Sequence, residues 1–417
     1  MTIAVLGGGL QGCCIAMALA DRGQEVVIFD RSDMLLSRAA VANEGKIHLG
    51  YMYAGDRSLR TAKMMMRGAL FFAPFMSRRL GVPHDSFDVS EAAQYVVHRQ
   101  SQKSAEDVEA YLRAVHDLVQ EAVGDDRSYF GIDLSAPIER WSVTALEQEL
   151  NPREIEAAFT SPEVAIDPVM LAHLIRDRID QTPQIEVRNE HTVLGVEGDH
   201  TLKVVSTACG VIRKERFGHV VNALWDGRIA IDDRRGRRPA RPWIHRLKYG
   251  VDLRRPSCPP VQRSITIVLG PFGEVVCYAS GSVYLTWYPA CLKARTSEVQ
   301  PPHWPIFPED PTRSEILRET FMALRAILPS LSAYNEDDLS HAVVRGGPIV
   351  AWGETDIDDP QSELHRRYEI GVTSSGKYHS VDPGKLTAAP LFAEECSERI
   401  AGPERRFHGV GRPVTLV

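Results

Sequence analysis

The chain has 417 residues, of which 44% are hydrophobic and 25% charged, and its formal net charge is −7. This length exceeds what one hydrophobic core usually organises, so we expect two domains. No apolar stretch is long enough to span a membrane, and the acidic balance argues against nucleic-acid binding. A strand pattern begins at residue 2, so no signal peptide is expected, and the seven scattered cysteines favour a cytoplasmic compartment without a metal site.

The first thirty residues have the pattern of a dinucleotide-binding βαβ unit. An apolar run over 2–6 ends at Gly7-Gly8-Gly9-Leu10-Gln11-Gly12, a helix of small residues follows, and a second apolar strand ends at Asp30. Gly7 permits the tight turn, Gly9 lets the backbone approach a pyrophosphate, and Gly12 lets the helix pack closely on the sheet. Asp30 is placed to accept hydrogen bonds from a ribose, which favours FAD or NAD over NADP.

A second signal lies in residues 32–56, which contain Ser37-Arg38-Ala39-Ala40-Val41-Ala42-Asn43-Glu44-Gly45-Lys46-Ile47-His48-Leu49-Gly50-Tyr51. This string resembles the segment of D-amino-acid-oxidase-type flavoenzymes that passes beside the flavin. The likeness is greatest to L-2-hydroxyglutarate dehydrogenase-type and glycine-oxidase-like members. The resemblance implies that FAD is the cofactor and that His48 faces the flavin. The alternative is that His48 caps or packs a loop.

The resemblance extends to the middle of the chain, where Asp167 and Pro168 open a helix and residues 217–223 form a strand that runs into a turn. It implies that backbone groups near Val193 hold the adenine and that the Asn222-Ala223 turn approaches the pyrophosphate. The chain departs from the family's usual Ala-Gly pattern here, because Leu224-Trp225 follows Ala223.

Residues 228–255 are rich in Arg and Lys and are densest at Arg234-Arg235-Gly236-Arg237-Arg238. Two interpretations stay open for this basic segment. It is either a solvated connection to the second domain or a docking patch for an anionic substrate handle, such as a phosphate or an acidic carrier protein.

Three consecutive antiparallel strands are predicted within 264–288. Their alternation places Tyr284, Thr286 and Tyr288 on one face. The resemblance implies that this sheet covers the flavin, so Tyr288 is a candidate catalytic residue. A plain packing face is the alternative.

The last third of the chain holds two further candidates. Arg345 interrupts an apolar strand and therefore needs a partner. In the family's amine-oxidising members a similar arginine grips the substrate carboxylate, whereas a structural salt bridge is the competing explanation. After Gly376, the stretch Asp382-Pro383-Gly384-Lys385-Leu386-Thr387 resembles the family's glycine-rich turn, whose following helix points its N-terminus at the flavin.

These patterns predict an α/β fold with a Rossmann-type FAD-binding domain of the glutathione-reductase-like kind and a substrate domain with an antiparallel sheet. The FAD-binding domain is predicted over 1–80, 155–230 and 345–417, and the substrate-binding domain over 81–154 and 231–344. The predicted catalytic residues are His48, Arg345 and Tyr288. The predicted cofactor contacts are Gly7, Gly9, Leu10, Gln11, Gly12, Asp30, Arg31, Arg38, Asn43, Gly45, Lys46, Ile47, Val193, Asn222, Ala223, Trp225, Gly376, Gly384, Lys385, Leu386 and Thr387.

The predicted reaction is hydride transfer from a small amine, amino acid or 2-hydroxy acid to flavin N5, while His48 removes a proton and oxygen or another acceptor reoxidises the flavin. The FAD is expected to be non-covalent, because no attachment motif is recognisable. Three alternatives remain: a NAD-dependent dehydrogenase, which leaves the Gly384 turn unexplained, a non-catalytic FAD-binding protein, and an oxidase of a carrier-bound or anionic biosynthetic intermediate. The expected partner is a small molecule, with the oligomeric state open.

Overall fold

A computed structural model describes residues 2–123, 129–198, 202–253, 263–356 and 358–403. Residues 404–417 of the predicted FAD-binding domain and the end of the basic segment, Arg254-Arg255, lie outside these ranges. Within them the chain forms seventeen strands: β1 (Ile3–Leu6), β2 (Val26–Phe29), β3 (Gln94–His98), β4 (Ile155–Phe159), β5 (Ile185–Arg188), β6 (Thr192–Glu197), β7 (Leu202–Ala208), β8 (Val211–Phe217), β9 (His219–Asn222), β10 (Trp243–Leu253), β11 (Ile265–Val268), β12 (Gly273–Cys277), β13 (Val283–Trp287), β14 (Leu292–Thr296), β15 (Val343–Trp352), β16 (Gly371–Ser375) and β17 (Tyr378–Asp382).

The same ranges contain ten α-helices: α1 (Leu10–Ala20), α2 (Arg60–Leu80), α3 (Ala105–Val123), α4 (Val143–Glu149), α5 (Pro168–Asp180), α6 (Arg228–Arg234), α7 (Tyr288–Cys291), α8 (Thr312–Ile327), α9 (Glu336–Ser340) and α10 (Ala389–Ala401). No helix in the described part of the chain has the length and apolarity that a membrane crossing requires.

The first sheet has the strand order β16-β17-β9-β1-β2-β5. Its centre is parallel, because β1 pairs in parallel with both β2 and β9. Every residue of β1 and β2 is buried, which explains why both read as uninterrupted apolar runs. Helices α1 and α10 pack against each other beside this sheet. The glycine turn after β1 therefore lies at the carboxyl edge of a parallel sheet.

The second sheet is mostly antiparallel and is built around the long strand β10. One edge of β10 pairs with β15 from Trp243↔Trp352 to Asp252↔Val343, and the other edge pairs with β14 and then β13. The sheet continues through β12, β11, β3 and β4, and β6-β7-β8 form a separate small sheet. The predicted fold class, α/β with an antiparallel second sheet, is confirmed.

Strand membership bears on the predicted division of the chain. Strand β4 and all but the first two residues of β15 lie within ranges predicted for the FAD-binding domain, yet both are strands of the second sheet. The domain boundaries therefore stay a prediction, and sheet membership favours moving these two strands to the substrate-binding part.

The basic segment is tied to the protein by its own arginines. Arg234 donates to the carbonyl of Leu194, and Arg235 donates to the carbonyl of Val196 at 2.9 Å. The Arg235 guanidinium also lies 4.6 Å from the centre of the Tyr378 ring. These contacts occupy the side chains in fastening α6 to β6, which favours a structural role over a docking patch.

The close approach of α1 to the first turn gives a stability prediction. A Cβ atom added at Gly12 would lie 1.8 Å from the carbonyl oxygen of Gly7, so Gly12→Ala must push the helix away. We expect a loss of about 1–3 kcal/mol in the free energy of unfolding, measured by denaturant titration of the FAD-free protein. Gly9→Ala is the matched control, because a Cβ there meets no atom within 4 Å. An equal loss in both variants would contradict this packing argument.

Candidate active site

A cleft of about 290 Å³ opens at the carboxyl ends of β1, β2 and β9. The turns after these strands line one side of it, at 7–11, 30–32 and 223–227. The second sheet supplies the facing wall, with side chains from β10, residues 347–349 of β15, and Tyr288. Ligands of open α/β sheets bind in this position, outside the carboxyl ends of the strands.

The structure brings most of the predicted site residues to this one cleft. Both His48 and Tyr288 line it. The predicted cofactor contacts that line it are Gly7, Gly9, Leu10, Gln11, Asp30, Arg31, Arg38, Asn43, Lys46, Val193, Ala223, Trp225, Gly384, Lys385 and Leu386.

Five other predicted cofactor contacts lie behind the lining. Gly12 packs under Gly7, and Gly45 has a φ of +66° with no room for a Cβ beside the carbonyl of Ile166. Ile47 is fully buried. The amide of Asn222 donates to Asp232 and Tyr378, and the hydroxyl of Thr387 accepts from the backbone N–H of His48. These five residues therefore support the backbone that faces the cleft and do not line it themselves.

Gly376 and Arg345 are placed elsewhere. Gly376 lies in the turn between β16 and β17 with a φ of +58°, a conformation that a hairpin turn requires. Arg345 Nε lies 2.8 Å from Asp252 Oδ2, and Arg345 does not line the cleft. Asp252 lies on β10, which pairs with β15, so the two side chains are diagonal neighbours on one sheet face. This geometry favours the salt-bridge explanation for Arg345, and the substrate-anchor role stays a prediction.

At one end, the cleft has the groups that a ribose and a pyrophosphate need. Helix α1 begins after Gly9 without a side-chain cap, so its first N–H groups are available to an anion. Asp30 accepts backbone N–H groups from Gly8 at 2.6 Å and Ser32 at 2.7 Å, which fixes its carboxylate beside the turn. No atom lies within 4 Å of a Cβ built on Gly9, so the space beside it belongs to the cleft.

At the other end, the turn at residues 383–386 brings a second helix start to the cleft. Gly384 has a φ of +61°, and α10 follows through a short 3₁₀ turn, Leu386–Ala388. The side chain of Gln11 donates to the carbonyl of Ala389 at 3.1 Å, and its Oε1 is buried without a hydrogen-bond partner among the described residues. Two helix starts and an unpartnered acceptor at one cleft fit a bound FAD.

His48 presents one ring nitrogen to the cleft. Its Nδ1 lies 3.1 Å from Glu163 Oε1, while its Nε2 is buried and has no hydrogen-bond partner in the described ranges. The nearest acid to Nε2 is Glu44, at 3.9 Å. Burial lowers the pKa of His48, Lys385 lowers it further, and Glu163 and Glu44 oppose the shift without reversing it. The ring is therefore neutral at pH 7.

Four cations that line the cleft act on the phenol of Tyr288, and we call them the cation cluster: Arg246, Lys248, Arg367 and Lys385. Burial opposes ionisation of Tyr288, but these cations outweigh it and lower the pKa of the phenol.

The acids beside the cation cluster are fewer than its charges. Arg246 pairs with Asp356 at 2.7 Å. Lys248 and Lys385 share Glu44, at 3.9 and 3.8 Å. Arg367 donates to the carbonyl of Gly384 and, among the described residues, has no acid within 4 Å. Four cations against two acids leave this end of the cleft positive.

The sequence offered one weak signal for this cluster. Arg246 and Lys248 alternate within one strand, so they share a face, yet both lie inside the basic segment that we interpreted as a connection or a docking patch. Arg367 precedes β16 and has no local pattern. Glu44 and Glu163 were also missed as site residues, although Glu44 lies inside the string that carries the resemblance.

The fold and the cleft together define a protein that can bind a dinucleotide between a parallel sheet and an antiparallel one. A family model described as FAD dependent oxidoreductase (DAO) matches residues 2–348, so the chain belongs to this family. Its cofactor is FAD, which removes the NAD-dependent alternative. A search of curated proteins finds no match.

Solved structures with this fold cover nearly the whole chain at low identity. Glycine oxidase from Geobacillus kaustophilus has 13% identity and a TM-score of 0.67, covering 98% of this chain and 99% of its own. NikD, an unusual amino acid oxidase essential for nikkomycin biosynthesis, has 15% identity and a TM-score of 0.66 over 98% and 95%. L-alpha-glycerophosphate oxidase from Mycoplasma pneumoniae, with FAD bound, has 15% identity and a TM-score of 0.62 over 95% and 94%. These similarities concern the fold.

The open space beside Gly9 gives a binding prediction. Valine tolerates the extended backbone at Gly9 (φ −76°, ψ −177°), and a Cβ there meets no protein atom within 4 Å, so we expect the added methyl groups to occupy the space of the cleft. We expect this variant to fold with near wild-type stability and to lose FAD, measured by visible absorbance after purification. Wild-type protein should release its yellow colour on acid precipitation. A yellow Gly9→Val protein with stoichiometric flavin would refute the site.

The position of Tyr288 gives a pH prediction. Because the cation cluster favours the phenolate, the apparent pKa of Tyr288 should lie below the ordinary value of about 10. The measurement is the absorbance change near 295 nm during alkaline titration of FAD-free protein, taken as the difference between wild type and Tyr288→Phe. Tyr284→Phe is the control, because burial raises the pKa of that phenol. A Tyr288 midpoint above 10 would contradict the charge balance.

Proposed function

We propose that this FAD-dependent oxidoreductase oxidises a C–H bond next to nitrogen or oxygen in a small anionic substrate. The observation that carries the proposal is the positive charge of the cation cluster beside the unpartnered Nε2 of His48. A carboxylate is the simplest anion that fits, so amino acids and 2-hydroxy acids are the favoured classes over neutral amines.

Arg367 and His48 have different roles in the proposed reaction. Arg367 has no acidic partner in the described ranges, and while its Nε and Nη1 donate to the carbonyls of Leu364 and Gly384, its Nη2 is left to donate to a carboxylate. That anchor places the α-carbon and its N–H or O–H group near His48, whose Nε2 takes the proton. The cation cluster also makes that proton easier to remove. Bound FAD would accept the hydride at N5.

A carrier-bound substrate is the second candidate, and it draws less support. This candidate depends on the basic segment acting as a docking patch, whereas Arg234 and Arg235 donate hydrogen bonds to carbonyls of β6.

We also propose that the enzyme is located in the cytoplasm, since the six cysteines in the described ranges are free thiols.

The test of the proposal is anaerobic bleaching of the bound flavin by a matched panel. Each carboxylic substrate, an amino acid or a 2-hydroxy acid, is compared with its uncharged amide or ester and with the corresponding simple amine. We expect bleaching by at least one acid and much slower bleaching by its neutral partner. Equal bleaching by acids and their neutral partners would refute an anionic substrate.

Arg367→Met should raise KM for an active acid by about 10–100-fold, because a charged contact to the substrate is lost. The matched control is Arg345→Met, which removes an arginine of β15 that lies outside the cleft, and we expect its KM to stay within about twofold. Steady-state kinetics at two salt concentrations measures both. A larger KM effect in Arg345→Met would return the anchor to that residue.

A further inference from the structure

Glu163 is a carboxylate at the centre of the protein that the proposed chemistry has not used so far. It follows β4 and is fully buried. Its Oε1 accepts the Tyr95 hydroxyl at 2.6 Å, and its Oε2 accepts the backbone N–H of Leu49 at 2.7 Å. A buried carboxylate is costly unless every oxygen is satisfied, and the remaining partner of Glu163 is His48.

The hydrogen bonds around Glu163 decide where the His48 proton resides. Tyr95 and Leu49 both donate to Glu163, which is the pattern of an ionised, acceptor-only carboxylate. His48 Nδ1 must then carry a hydrogen and donate to Oε1 across 3.1 Å. In a neutral ring the lone pair is left on Nε2, which is the nitrogen without a partner in the described part of the chain.

We propose that Glu163 is the positioning residue of the reaction: it holds His48 in the Nδ1–H tautomer, so that Nε2 accepts the substrate proton. The inference rests on the proposed function. In the step, the substrate O–H or N–H bond breaks, a new N–H bond forms at His48 Nε2, and the ring becomes an imidazolium. The negative charge of Glu163 stabilises that imidazolium.

Other groups face this pair and would contribute to any pH profile. Glu44 and Lys385 act on the His48 ring from the cleft side, and the Tyr53 ring meets it edge-on at 5.7 Å. On the Glu163 side, Tyr95 donates a hydrogen bond, while Lys46 is held by Glu274 at 2.6 Å. None of these neighbours hydrogen-bonds to Nδ1, so among the described residues the tautomer depends on Glu163.

Glu163→Gln keeps the shape of the side chain but replaces one acceptor oxygen of the carboxylate with an NH₂ donor. Its one amide oxygen is needed by the Leu49 N–H, so the NH₂ group faces His48 Nδ1 and donates to it. The ring proton then moves to Nε2, which points a donor instead of an acceptor into the cleft. Tyr95→Phe is the matched control, because it removes one hydrogen bond from the same carboxylate and leaves its charge.

The first measurement is ¹⁵N NMR of histidine-labelled, FAD-loaded protein without substrate, with His48 assigned by comparison with His48→Gln. We expect the Nδ1–H tautomer in wild type and Tyr95→Phe, and the Nε2–H tautomer in Glu163→Gln. An Nε2–H tautomer in wild type overturns the proposal without the need for any Glu163 variant. An unchanged tautomer in a folded Glu163→Gln protein overturns it as well.

The second measurement is the rate of anaerobic flavin reduction over a range of pH. Glu163→Gln should lower the limiting rate by about 10²–10³-fold with KM within about threefold, and the loss should shrink at high pH, where solvent removes the proton. Glu163→Asp should restore part of the rate. In a His48→Ala background, Glu163→Gln should add less than about twofold, and a full additional loss overturns the proposal.

The two proposals fail in different ways. If His48→Ala reduces its flavin at the wild-type rate, His48 does not take the substrate proton, and both its proposed role and the positioning role of Glu163 are wrong. If His48→Ala is slow but Glu163→Gln is as fast as wild type, the function stands and the positioning role of Glu163 is overturned.

Discussion

The constraint on which the site depends is the balance of charge in a half-closed cleft. The cation cluster has two acids beside it, so a positive potential remains where the second sheet faces the carboxyl edge of the first. That potential lowers the pKa of Tyr288, while burial and Lys385 lower the pKa of His48. An anion that binds in the cleft neutralises part of this excess positive charge. The same interaction therefore supplies both the binding energy of the anion and its orientation.

One segment connects the two sheets around this charge. Residues 43–48 carry Glu44, which faces two lysines, and His48, which faces Glu163. Between them, Lys46 reaches Glu274 of the second sheet, and Gly45 packs against the backbone that precedes α5. A shift of this loop would therefore move the proton acceptor, the acid and the inter-sheet contact together.

The sequence predicted the parts of the molecule that local patterns determine. The glycine turn, Asp30 and the 383–386 turn each combine a conformation with a neighbouring strand or helix, so their position at one sheet edge follows from topology. The role of Arg345 could not be decided from the sequence, because a lone charge in an apolar strand shows only that a partner exists, and its neighbour Asp252 lies more than ninety residues away. The partners of His48 and Tyr288 come from β10, the segments before α5 and β16, and the turn after β17. Only the strand pairing brings them together, and no single window of sequence contains it.

The register of β10 has a consequence for how such a cleft can change over time. Its alternation directs Arg246 and Lys248 at the cleft, while Leu247 and Tyr249 pack in the core of the second sheet. Insertion or deletion of one residue in β10 would exchange the two sets and bury the charges. Positions 246 and 248 can therefore change by substitution, but not by insertion or deletion within the strand. Such exchanges would alter the preferred ligand while the glycine turn, α1 and the ribose-facing acid stay untouched, so specificity and cofactor retention can diverge independently.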